Sequence, residues 1–214
     1  MEIKSLQYIV SHPDQVATAT VRGVRWIQLR VKDEPYAEWK KLALETQAEC
    51  QNRGATFIIN DNPALALEIG ADGVHLGQQD MPPAEARALL GPDFIIGGTA
   101  NTFADIERLA VEGVDYIGLG PFRFTTTKKN LAPVLGLAGY QQLLAQCRAA
   151  GLQVPIVGVG GILLADVPAL LATGLHGIAV AGAIEHAEDI RGTIYGFVKA
   201  VFAVPSFSLW KPNR

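Results

Sequence analysis

The run Thr56-Phe57-Ile58-Ile59-Asn60-Asp61, followed one amphipathic segment later by Gly73-Val74-His75-Leu76, decides the fold. Both apolar runs are short and continuous rather than alternating. Such runs suit strands buried on both faces of a parallel sheet. Working outward, similar runs recur at residues 5–10, 26–31, 94–97, 116–120, 155–159 and 177–181. The segments between them read as helices. Residues 35–53 set Trp39, Leu42, Ala43 and Thr46 on one side at helical spacing, and Gly54 ends that helix. Pro82-Pro83-Ala84-Glu85 opens another, because proline is tolerated in a first turn. Residues 139–150 and 166–173 follow the same pattern, closed by Gly151 and Gly174.

Eight strand–helix units at roughly 25 residues each match the βα repeat of a barrel. The expectation is a single-domain (β/α)8 TIM barrel of class α/β over residues 1–204, with an extension at 205–214 that carries Phe207 and Trp210. An open doubly wound sheet would carry a G-x-G-x-x-G turn after its first strand. Here that strand runs into Ser11-His12-Pro13-Asp14 instead.

Composition narrows the function. Of 214 residues, 49% are hydrophobic, enough for a large core. A net charge of −3 without a basic tract argues against nucleic acid or an anionic membrane as partner. The N-terminus lacks the apolar stretch of a signal peptide, no window reads as a membrane span, and Cys50 and Cys147 read as reduced structural thiols. A cytoplasmic enzyme acting on small molecules is expected; homo-oligomerisation is left open.

Barrel chemistry gathers at the C-terminal ends of the strands. Gln28, Arg30 and Lys32 alternate with Leu29 and Val31, so period two turns all three side chains into the mouth. A guanidinium fork beside an ammonium group suits phosphate oxygens. Asn60 and Asp61 end the third strand, and His75, Gln78 and Asp80 follow from the fourth. Asp61 and Asp80 lie on neighbouring units, where two carboxylates would repel unless a hard divalent cation such as Mg²⁺ joined them. The alternative is that each caps the helix that follows it. Thr99 and Asn101 are placed after strand five, and Lys128 and Lys129 in a threonine-rich loop after strand six. Gly160-Gly161 and Gly182 follow strands seven and eight, where barrels commonly bind phosphate.

Taken together, Gln28-x-Arg30-x-Lys32, Ile59-Asn60-Asp61, Ala71-Asp72-Gly73-Val74-His75-Leu76-Gly77-Gln78-x-Asp80, Gly118-x-Gly120-Pro121, Thr125-x-Thr127-Lys128 and Gly160-Gly161-Ile162 resemble the thiamine-phosphate synthase family across residues 26–184. The resemblance implies a transferase that joins a hydroxymethylpyrimidine diphosphate to a thiazole phosphate. It implies that Gln28 holds the pyrimidine, and that Arg30, Lys32, Asn60 and Lys128 hold the diphosphate. Arg30, Lys32 and Lys128 would be the catalytic cations, and Asp61 and Asp80 the Mg²⁺ ligands. Thr125, Thr127, Gly160, Ala181 and Gly182 would hold the thiazole phosphate, and Thr99 stands where the family often has serine. Two departures stand out. Asn101 occupies a position where histidine is common, and Ala181-Gly182 replaces an aliphatic–serine pair. The related thiazole tautomerases share the fold but do not need the full diphosphate and metal set. A non-catalytic barrel that senses thiamine precursors is a third reading.

Overall fold

A computed structural model describes residues 2–124 and 132–203. Its strands are β1 (Leu6–Val10), β2 (Trp26–Leu29), β3 (Thr56–Asn60), β4 (Gly73–Leu76), β5 (Ile95–Ala100), β6 (Tyr116–Leu119), β7 (Ile156–Val159) and β8 (Gly177–Val180). All pair in parallel with their sequence neighbours, and Gln7 opposite Ala179 joins β1 to β8 and closes the barrel. The helices are α1 (Asp14–Val21), α2 (Tyr36–Asn52), α3 (Pro63–Ile69), α4 (Pro83–Leu90), α5 (Phe103–Val111), α6 (Gly136–Ala149), α7 (Val167–Ala172), α8 (Gly182–Glu185) and α9 (Ile190–Ala203). The expected α/β barrel in one domain is therefore the observed fold. Among the described residues no helix is long and apolar enough to cross a membrane. The expected extension at 205–214 lies outside the described residues.

Alternation along each strand divides the apolar side chains into two sets. Outward residues such as Ile27, Leu29, Ile59, Val74, Ile117 and Ile178 pack beneath the helices in the main core. Inward residues Trp26, Ile58, Ile95, Tyr116, Val157 and Ala179 fill the lower barrel. The Trp26 and Tyr116 rings meet edge-on, with centroids 4.8 Å apart. Polar side chains gather above this floor, so the packed layer forms the base of the site.

The helix boundaries have local causes. Gly54 takes a left-handed φ of 60° just after α2, as expected of a helix-ending glycine. The Asn62 side chain accepts the Leu65 N–H at 2.9 Å and so caps α3, with Pro63 in its first turn. Helix α6 starts at Gly136, earlier than the expected residue 139.

Two strand boundaries also differ from expectation. Strand β2 ends at Leu29 rather than 31, although the Arg30 N–H still donates to the Val10 carbonyl at 2.9 Å. Strand β5 continues through Gly97-Gly98-Thr99 to Ala100, so Thr99 lies within the strand and not after it. The two glycines read as a chain break but serve packing. A Cβ on Gly97 would lie 2.2 Å from Tyr116 Cζ and 2.6 Å from His75 Nδ1. One on Gly98 would lie 2.6 Å from Leu109 Cδ2. Glycine here makes room for large neighbours on both faces of the sheet.

Gly97→Ala is therefore expected to destabilise the barrel by about 1–3 kcal/mol, the usual scale for overpacking a filled core. Urea unfolding measures this directly. Wild-type stability would mean that the Tyr116 and His75 rings have room to retreat.

Candidate active site

The residues singled out at the strand ends converge on one cavity of about 1400 Å³ at the mouth of the barrel. Gln28 from β2 lines it, as do Arg30 and Lys32 from the segment just beyond. So do Asn60 and Asp61 at the end of β3, Asp80 after β4 and Thr99 on β5. Gly160, Ala181 and Gly182 close the opposite wall. Thr125, Thr127, Lys128 and Lys129 lie outside the described residues.

The two carboxylates come together as expected, and neither caps a helix. Asn62 caps α3, and α4 follows Pro82 with no side-chain cap. Asp61 adopts a left-handed φ of 65° and donates its N–H to the His75 carbonyl at 2.8 Å, so its backbone is tied to β4. Asp80 accepts the Gly77 N–H at 2.6 Å. Burial, a shared hydrogen bond with Asp80 and the charge of Asp80 raise the Asp61 carboxyl well above the usual range, while Arg30 opposes the rise. Burial in turn lowers the Arg30 guanidinium from its ordinary value, and Asp61 offsets this in part. Two carboxyls in this arrangement must share a proton or a cation.

Below the charged rim runs a row of neutral polar groups. Gln28 Nε2 donates to Gln7 Oε1 at 2.9 Å, and Gln7 Nε2 donates to Tyr116 Oη at 3.4 Å. Tyr116 Oη lies 3.0 Å from His75 Nδ1, and His75 Nε2 lies 3.0 Å from Thr99 Oγ1. Burial pushes the Tyr116 phenol up, so it stays neutral. The sequence reading singled out Gln28, His75 and Thr99 but missed Gln7 and Tyr116. The parity of Gln7 with Ile9 on β1 was the available signal. Tyr116 opens its strand, where an aromatic residue reads as core.

The far wall depends on close backbone approach. Gly160 has φ 93°, and a Cβ there would lie 2.8 Å from Pro121 Cβ. Gly161 has φ 68°, with its virtual Cβ 3.0 Å from the Arg123 carbonyl. Arg123 then donates to the Gly161 carbonyl at 2.6 Å and forms a two-pronged pair with Asp166, at 2.9 Å on each prong. The segments after β6 and β7 are thereby tied together. Asn101 has a similar role. Its Nδ2 donates to the Gly120 carbonyl at 2.9 Å and to the Pro133 carbonyl at 3.0 Å, gathering the two ends of the segment that carries Lys128. The residue that departs from the common histidine thus joins the Gly120 and Pro133 carbonyls through its amide.

Comparison with known proteins identifies the family. A family model described as thiamine monophosphate synthase matches residues 7–184. The chain is 53% identical over 179 residues to a thiamine-phosphate synthase of Phocaeicola vulgatus, covering 84% of this chain and 86% of that one. It is 49% identical over 191 residues to one from Bacteroides fragilis, covering 86% and 94%. The solved structure of a thiamine phosphate pyrophosphorylase from Pyrococcus furiosus superposes with a TM-score of 0.82 at 30% identity, covering 93% of this chain and 96% of that one. The family match runs from β1 through β8, and the chain belongs to the thiamine monophosphate synthase family.

Proposed function

We propose that this chain is a thiamine-phosphate synthase. It condenses 4-amino-5-hydroxymethyl-2-methylpyrimidine diphosphate with a thiazole phosphate, giving thiamine phosphate and diphosphate. One observation carries the reading: a single mouth gathers an amide, two cations and two adjacent carboxylates on one wall and a glycine-built wall opposite. Such a mouth has one end for a diphosphate and another for a monophosphate.

In the reaction, the bond between the pyrimidine methylene carbon and the diphosphate oxygen breaks, and its electron pair leaves with the oxygen. The aminopyrimidine ring stabilises the methylene cation. The thiazole nitrogen then supplies its lone pair to form the new C–N bond, leaving a thiazolium and free diphosphate. No protein nucleophile is required. Arg30, Lys32, Asn60 and Lys128 hold the diphosphate and stabilise the charge that develops on it. Gln28 and Thr99 hold the pyrimidine, while Thr125, Thr127, Gly160, Ala181 and Gly182 hold the thiazole phosphate. Fixing both partners in one mouth supplies the orientation that a displacement between two small molecules needs.

Asp61 and Asp80 fit a Mg²⁺ ion. They are adjacent, neither is used as a helix cap, and their mutual repulsion calls for a cation. Among the described residues no group of three or more acidic, histidine or cysteine ligands occurs, so diphosphate oxygens and water would complete the shell. The ion would neutralise charge on the diphosphate.

Pyrophosphate release from the two mixed substrates tests the reading. Chelation by EDTA is expected to abolish turnover, and added Mg²⁺ to restore it. Asp61→Ala and Asp80→Ala should each lower kcat/KM by about 10²-fold or more, with kcat falling as well as KM rising. Full turnover in EDTA would remove the metal from the account. Lys128→Ala should also cost about 10²-fold, the scale for one strong transition-state donor, while Lys129→Ala stays near wild type. The reverse pattern would mean that the register assigned to Thr125, Thr127 and Lys128 is wrong.

A further inference from the structure

We propose that Gln7, Tyr116 and His75 are positioning residues that impose one direction on the hydrogen-bond row from Gln28 to Thr99, so that the mouth selects an aminopyrimidine over its oxo counterpart. The ligand in this proposal rests on the functional reading above; the direction of the row does not.

Direction follows from counting protons. Gln7 is 1% exposed, so its amide must satisfy its groups within the site. Gln7 accepts from Gln28 through Oε1 and donates to Tyr116 through Nε2. The Tyr116 oxygen is thereby an acceptor, and its own proton needs a partner in the buried interior. His75 Nδ1, at 3.0 Å, is that partner. A ring nitrogen that accepts carries no proton, so the imidazole proton sits on Nε2 and points at Thr99 Oγ1, 3.0 Å away. The Thr99 hydroxyl, having accepted, donates its proton onward.

The two ends of the row are therefore unlike. One Nε2 proton of Gln28 is held by Gln7, which orients the amide and leaves its Oε1 as an acceptor on the β2 side. Thr99 offers a donor on the β5 side. Both residues line the same cavity. An aminopyrimidine presents the complement, an exocyclic N–H donor and a ring-nitrogen acceptor. A pyrimidinone presents the opposite pair, a carbonyl acceptor and a ring N–H donor. The row would have to reverse from end to end to receive it.

The barrel is built to hold the two central rings. A Cβ on Gly97 would strike both Tyr116 and His75, at 2.2 and 2.6 Å, and one on Gly118 would lie 3.0 Å from His75 Cε1. Two neighbouring strands thus give up side chains where these rings sit. Tyr116 is fixed from below by Trp26. With the rings held, neither end group can rotate without breaking a bond in the row.

Tyr116→Phe and Gln7→Glu test this with little change in volume. The first removes the proton that Nδ1 accepts. The second leaves an acceptor that draws the tyrosine proton away from Nδ1. The first readout is the imidazole ¹⁵N shifts of His75 in the protein without substrate. Wild type should show the proton on Nε2, and both variants should lose that preference. The second readout is the ratio of Kd values for the 4-amino and 4-oxo pyrimidine diphosphates, measured with Mg²⁺ present. It should fall by about tenfold or more in each variant, with the KM for thiazole phosphate unchanged. A wild-type proton on Nδ1, or wild-type nitrogen shifts in both variants, overturns the row. An unchanged Kd ratio overturns its role in selection. If wild type binds neither pyrimidine, the functional reading fails, and the nitrogen shifts still decide the direction of the row.

Discussion

A side chain on a barrel strand can point only inward or outward, and the register between strands fixes which. Gln7 opposite Ala179 and Gln28 opposite Ile58 place these residues on the inner face. Asn60 beside His75 and Thr99 beside Gly118 extend that face around the ring. A slip of one residue in any strand would turn its polar residue into the helix layer and its aliphatic neighbour into the mouth. The outward aliphatic residues under the helices therefore hold the chemistry in place without touching it.

On this frame the mouth is layered. An apolar floor of Trp26, Ile58, Ile95 and Val157 closes the barrel from below. A neutral hydrogen-bonded layer lies above it, and the charged rim of Arg30, Lys32, Asp61 and Asp80 lies above that. The order suits a substrate with an uncharged aromatic ring and an anionic tail. The ring meets directional groups in a largely buried layer, where a lower local dielectric strengthens each hydrogen bond. The tail meets cations and carboxylates at the rim, where a metal can enter.

Much of this was legible in the sequence because parallel strands leave long apolar runs and barrel chemistry falls at their ends. The spacing of Gln28, Arg30 and Lys32 carried its meaning directly. Four features were not legible, each for a physical reason. Gly97-Gly98 looks like the end of a strand, and only the Tyr116 and His75 rings on one face and Leu109 on the other show why a strand would accept two glycines. Gln7 lies in an apolar run, and its partners, Gln28 and Tyr116, are far away in sequence. Asp61 could equally have capped the following helix, and only the bond from the Leu65 N–H to Asn62 shows that the next residue does so instead. Asn101 was read as a departure from the family pattern, and its two carbonyl partners show what the amide does instead.

The central claim is that one mouth holds both reaction partners, with the pyrimidine in the neutral layer and the diphosphate at the rim. A crystal structure with thiamine phosphate, diphosphate and Mg²⁺ bound tests it most directly. The account predicts that the pyrimidine lies between Gln28 and Thr99, that the diphosphate meets Arg30 and Lys32 beside a metal on Asp61 and Asp80, and that the monophosphate lies against Gly160. Either ligand bound outside the mouth, or the pyrimidine at the rim with the diphosphate below it, would contradict the account.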